Sequence, residues 1–132
     1  MPRFDAKELF ANLAEKERLK GHHSPEGRAI RTLSRALSGW SAGDLGRRDV
    51  IVLCAQAVED WLKARLGRSP WSPGTISPLV REALSQKLIT RREAIRLQKI
   101  HRSRAARHAR GVSKGEIEAA LEFSIELIDK HW

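Results

Sequence analysis

A chain of 132 residues is long enough to bury one core without disulfides or metal and too short for two full domains, so a single domain over 1–132 is expected. With 41% hydrophobic and 31% charged residues it reads as globular, and the lone Cys54 excludes a disulfide framework or a cysteine metal site and fits a reducing, cytoplasmic setting. The net charge of +9 points to nucleic acid, an anionic surface or an acidic protein; a membrane is not expected, since no apolar run reaches the roughly 18 residues that span a bilayer and MPRFDAKELF carries acids where a signal peptide is apolar.

Periodicity is helical throughout, and no alternating β-branched run bounded by hairpin turns suggests a strand. The expected fold is therefore all-α, an up-and-down helical bundle of about five to six helices. A first helix over about 5–19 places Phe10, Leu13 and Ala14 on one face and ends near Gly21, with a peripheral position for residues 1–21 as one option. Ser24 and Pro25 restart a helix in which Ile30, Leu33, Leu37 and Trp40 form a buried stripe, broken by SAGDLG. The next segment, RRDVIVLCAQAVEDWLKARLG, is apolar around most of its circumference, as the central helix of a bundle must be, with Gly67 as its stop. Its one polar strip is Gln56, Glu59, Asp60 and Lys63.

Residues 68–77, RSPWSPGTIS, read as a loop, with Ser77 as N-cap and Pro78 as first position of a short helix to about Leu88. Thr90 with Glu93, and Ser113 with Glu116, have capping-box spacing and predict two further helices separated by Gly111. The last helix sets Ile117, Leu121, Ile125 and Ile128 against Glu118, Glu122, Glu126 and Asp129.

The chemistry-bearing stretch is Thr90 to Gly111, which holds eight Lys/Arg and two His against one Glu. Arg91, Arg92, Arg96, Lys99, Arg107 and Arg110 are candidate phosphate contacts. Arg102 and Arg104 supply planar guanidinium forks for a charged phosphorane, and His108 occupies both protonation states near neutrality, as a proton-transfer group must. On an ideal helix Arg104 and His108 share a face, whereas Arg102 lies about 120° from His108, so its convergence requires a frayed or kinked helix end. The plainer alternative for His108 is a helix-terminal histidine meeting the C-terminal dipole. Glu59 likewise either faces solvent or pairs with an arginine of the basic helix.

His22 and His23 have no third ligand nearby, so no metal or cofactor is expected. Trp40 and Trp61 have core spacing, whereas Trp71 and Trp132 stand where an indole can stack on a base or touch a protein. Phosphate-loop, nucleophile-elbow and zinc-hydrolase motifs are missing from the sequence.

AQAVEDWLKARL in the central helix, followed by a basic helix ending RSRAARH and a final amphipathic helix, resembles the HEPN superfamily from about Arg28 onward. The family signature is an arginine, four to six residues and a histidine, often with a polar residue after the arginine. Arg102, Ser103 and His108 have that form with five intervening residues, and Arg104 is a second candidate arginine. The resemblance implies a small helical bundle and, in many members, metal-independent RNA cleavage at a site where two protomers meet, held in check by a nucleotidyltransferase-like antitoxin. Other members have lost activity and only bind. It also implies that Glu59, or Asp60 beside it, faces the arginine and histidine. The expected function is thus an RNA-binding homodimer with endoribonuclease activity at Arg102, Arg104, His108 and Glu59. The alternative is a non-catalytic HEPN protein, or a helix-turn-helix DNA reader with Thr90 to Arg110 as recognition helix; burial of Ala94, Leu97 and Ala105 separates the two.

Overall fold

In the computed structural model, residues 5–20, 24–69, 71–72, 74–105 and 113–130 are described. Among the described residues, six helices follow from the periodic segments: α1 (Ala6–Lys20), α2 (Pro25–Ser41), α3 (Arg47–Arg65), α4 (Ile76–Ser85), α5 (Arg91–Ala105) and α6 (Lys114–Lys130). The chain is an all-α helical bundle, with no strand among the described residues.

α3 is the hub because it has almost no polar face to give to water. Val50, Ile51, Cys54, Ala55, Ala57, Val58, Trp61 and Leu62 are all buried, and α2, α4, α5 and α6 pack around it. Each large apolar side chain removed from water there contributes about 1.5–3 kcal/mol. α2 supplies Ile30, Leu33 and Leu37, with Trp40 half-buried at the end of that stripe. α6 supplies Ile117, Leu121, Ile125 and Ile128, leaving Glu126 and Asp129 exposed. α1 packs on α2 and α6 and buries Leu13, whereas Ala14, expected on the same face, is exposed. The side chains of Phe10 and Ala105 lie outside the described set, as do Gly21, Gly111 and Trp132.

Three helices end in the same device. In α2, Gly43 N donates to Trp40 O and Asp44 N to Gly39 O; in α3, Gly67 N donates to Ala64 O and Arg68 N to Lys63 O. These are Schellman ends, which need a residue in the left-handed region, and Gly43 (φ 75°) and Gly67 (φ 71°) provide it without a Cβ clash. α4 ends identically, with Lys87 N donating to Leu84 O and Leu88 N to Ala83 O, but Lys87 (φ 60°) takes the glycine place.

α4 corrects the expected boundaries at both ends. Its N-cap is Thr75, not Ser77. Ser77 and Pro78 sit inside the first turn, where proline loses no helical hydrogen bond, and Ser77 Oγ donates to Gln98 Oε1 of α5 at 3.2 Å. Its last residue is Ser85, not Leu88, because the Lys87 turn stops it.

The box at Thr90 closes on both sides, and at Ser113 the side-chain cap forms. Thr90 N donates to Glu93 Oε1 at 2.8 Å and Glu93 N to Thr90 Oγ1 at 3.1 Å; Glu116 N donates to Ser113 Oγ at 3.1 Å. Glu93 Oε2 also pairs with Lys130 of α6 at 3.5 Å, so one carboxylate fixes the start of α5 and ties it to α6.

Lys87 carries a left-handed backbone with a Cβ, a conformation that costs a non-glycine residue about 1 kcal/mol. Lys87→Gly is therefore expected to raise unfolding stability by roughly 0.5–1 kcal/mol, read as a higher urea midpoint at unchanged slope; a lower midpoint contradicts this account of the α4 end.

Candidate functional site

The polar strip of α3 is the one side of that helix left partly open. Gln56 is exposed, and Glu59 and Asp60 are half-buried. At 100° per residue, Glu59 and Asp60 lie on opposite edges of the strip. α5 borders the Glu59 edge and α2 the Asp60 edge.

On the first edge, Arg104 Nη1 of α5 lies 2.6 Å from Glu59 Oε1, with the two side chains 23% and 16% exposed. The distance is that of a tight ion pair, but the N–H direction misses the oxygen: Glu59 Oε1 is buried and accepts no hydrogen bond. The attraction is therefore coulombic, with acceptor capacity left over. Arg104 Nη2 stands 3.4 Å from His101 Nδ1, one turn earlier on the same helix. Glu59, Arg104 and His101 thus form one cluster where α5 meets α3.

On the other edge, burial pushes the Asp60 carboxyl above the usual carboxylate range; Lys63 and Arg28 pull it down and Glu59 adds to the rise. Arg28 of α2 lies over the ring of Trp71, its Cζ 4.4 Å from the centroid. Cys54, deep in the core, has a thiol pushed up to about 12 by burial, so it is inert as a nucleophile.

The candidate residues of α5 divide by direction. Arg91, Arg92, Arg96, Lys99 and Arg102 are all exposed. Arg91 and Arg102 share the outer crest with Ile95, which is 61% exposed. Arg92, Arg96 and Lys99 turn toward α6. Between α5 and α6 runs a groove of about 620 Å³ with Ile51, Ile100 and Phe123 at its floor, Arg96 and Lys99 on one wall and Glu122 and Glu126 on the other. Arg96 Cζ is 5.4 Å from the Phe123 ring centroid.

α5 is regular from Arg91 through Ala105; the helix end that would have to fray for Arg102 to converge with His108 lies outside the described residues. Two residues apart, Arg102 and Arg104 point to nearly opposite sides, Arg102 to solvent and Arg104 to Glu59. His108, Arg107 and Arg110 lie outside the described residues, as do His22 and His23. The residue that sequence reasoning passed over is His101; its signal was the three-residue spacing to Arg104, which places two side chains on one helix face.

Among the described residues there is no group of three or more His, Cys, Asp or Glu side chains that could hold a metal ion, and no described helix is long and apolar enough to cross a membrane.

Compared with family models, curated proteins and solved structures, the chain matches none. The weight of the Glu59–Arg104 pair therefore rests on its own geometry. A partly buried ion pair lies between an exposed one, worth about 0–1 kcal/mol, and a buried one, whose loss of one partner costs about 3–5 kcal/mol. A double-mutant cycle on Glu59→Gln and Arg104→Gln is expected to show a coupling of roughly 1–2 kcal/mol; additive effects mean that the contact holds nothing.

Proposed function

We propose that the chain is a HEPN-like RNA-binding protein that cleaves RNA without a metal ion, as a homodimer and with a nucleotidyltransferase-like antitoxin as possible restraint. The observation that carries this reading is the meeting of Glu59 with Arg104, the acidic and basic residues that the family resemblance pairs. It occurs on the most cationic helix of the chain, with an imidazole on either side of Arg104 in sequence, His101 and His108.

The chemistry asks for three things. A base removes the 2′-hydroxyl proton, the 2′-oxygen attacks phosphorus, and an acid protonates the departing 5′-oxygen, leaving a cyclic phosphate. His108 is assigned the proton transfer. Arg104, beside Glu59, is assigned to the scissile phosphate, and Arg102 on the crest to the strand that carries it. The burial of Ala94 and Leu97 favours this reading over a DNA reader that presents that face.

What supports a second copy is the groove. Lys99, Glu122 and Glu126 form no ion pair among the described residues, although their signs are opposite and they flank one cleft. A two-fold axis in the plane of this face can run along the groove or across it. Across it, α5 meets its own copy, basic on basic. Along it, the α5 of one protomer meets the α6 of its partner, basic on acidic, and both α5 C-termini come to the same end of the dimer.

Incubation of the protein with single-stranded RNA in EDTA is expected to give fragments ending in cyclic phosphate. His108→Ala should abolish the cleavage at unchanged helical circular dichroism. Loss of cleavage in His101→Ala with His108→Ala still active moves the proton transfer to His101, and no cleavage of any RNA overturns the nuclease reading. Lys99→Glu or Glu122→Lys alone should dissociate the dimer in sedimentation at low salt, and the double exchange should restore it; a monomeric wild type removes the proposed interface.

A further inference from the structure

Three tryptophans of the described residues stand in different surroundings. Trp61 is in the core, and Trp40 is half-buried with its Nε1 donating to Glu118 Oε2 at 3.4 Å. Trp71, in the loop between α3 and α4, is 79% exposed. Leaving an indole in water forfeits a large burial energy, so its surroundings matter.

The turn that carries Trp71 is hydrogen-bonded. Trp71 N donates to Ser69 Oγ at 3.2 Å, and Ser72 closes the turn by donating from both N and Oγ to Ser69 O. Arg28 lies over one face of the indole, and Asp60, near enough to be pulled down by Arg28, attracts that guanidinium from the α3 side. With one face covered by a planar cation and most of the ring exposed, the other face is open to water.

We propose that Trp71, backed by Arg28, is a stacking platform for an unpaired nucleobase of a single-stranded RNA. The inference rests on the RNA reading above and extends it to a second contact, on the opposite edge of the α3 strip from Glu59 and Arg104. A single strand bound there places a base on Trp71 while its backbone runs over the strip toward Arg104. The surroundings select this ligand class. A protein hot spot is a large aromatic ringed by apolar contacts that exclude water, and a membrane anchor is continued by further apolar groups. Trp71 has Arg28 over its ring and Ser69 and Ser72 in its turn, and the other exposed large apolar residues among those described, Leu19, Val52 and Ile95, are on α1, α3 and α5. A cation-backed indole in polar surroundings suits a π-face carried on a phosphate chain.

The test compares wild type, Trp71→Ala and Trp71→Phe in binding three probes of one length: single-stranded oligoadenylate, an abasic ribose-phosphate strand, and an RNA duplex. Stacking of one base corresponds to roughly 5- to 150-fold in affinity. Trp71→Ala is expected to weaken oligoadenylate binding by about tenfold, Trp71→Phe to retain most of it, and neither to change abasic or duplex binding. Oligoadenylate binding by Trp71→Ala equal to wild type overturns the platform and leaves the RNA reading standing. Equal losses on oligoadenylate and abasic strands also overturn it, since no base is then being read. A wild type that binds none of the probes overturns the RNA reading itself.

Discussion

Arg104 stands where it does because Glu59 lies on the edge of a helix that is otherwise buried on nearly every side. A carboxylate half-withdrawn from water must be met by a cation or pay a desolvation cost of several kcal/mol. α5 packs on α3 through Ala94, Leu97 and Ile100, and that packing fixes which α5 side chain reaches Glu59. The apolar contacts set the rotation of the helix, and the ion pair follows from it. The same rotation sends Arg91 and Arg102 to the crest and Arg92, Arg96 and Lys99 toward α6.

The distribution of charge lets a chain with a net charge of +9 offset some of its cations where helices meet. The carboxylates of α6 lie across a groove from the cations of α5, and Glu93 bridges the two helices by capping α5 and reaching Lys130. Self-repulsion is relieved locally. Arg91 and Arg102 on the α5 crest are among the exposed cations and face outward, where a polyanion can reach them.

Much of the fold was legible in the sequence because its signals are local. Thr90 with Glu93 and Ser113 with Glu116 announced two helix starts, and the all-round apolar character of α3 marked the hub. The end of α4 was not legible, since Lys87 takes a left-handed conformation that sequence reading assigns to glycine or asparagine. Nor was its start, because Thr75 and Ser77 are both acceptable caps and only the packing chooses between them. At the site, the pairing of Glu59 with an arginine of the basic helix stood as one of two options, and the choice needed the tertiary contact. His101 was overlooked for a different reason: the Arg102 and His108 pattern drew the eye to the helix end, although the regular helix turns Arg102 away from Arg104.

An arginine that faces a carboxylate is not thereby spent as a phosphate ligand. A guanidinium has five N–H donors. Arg104 directs Nη1 toward Glu59 and Nη2 toward His101, and neither contact uses all of the donors on those nitrogens. Glu59, half-buried on α3, keeps the guanidinium beside the strip by charge attraction, whereas a free arginine on a helix surface must be placed by each ligand it meets. The pair thus trades some net positive charge for a fixed place. On the RNA-binding reading proposed above, bulk attraction for the polyanion falls to the exposed cations of the α5 crest, so attraction and placement belong to different residues of one helix.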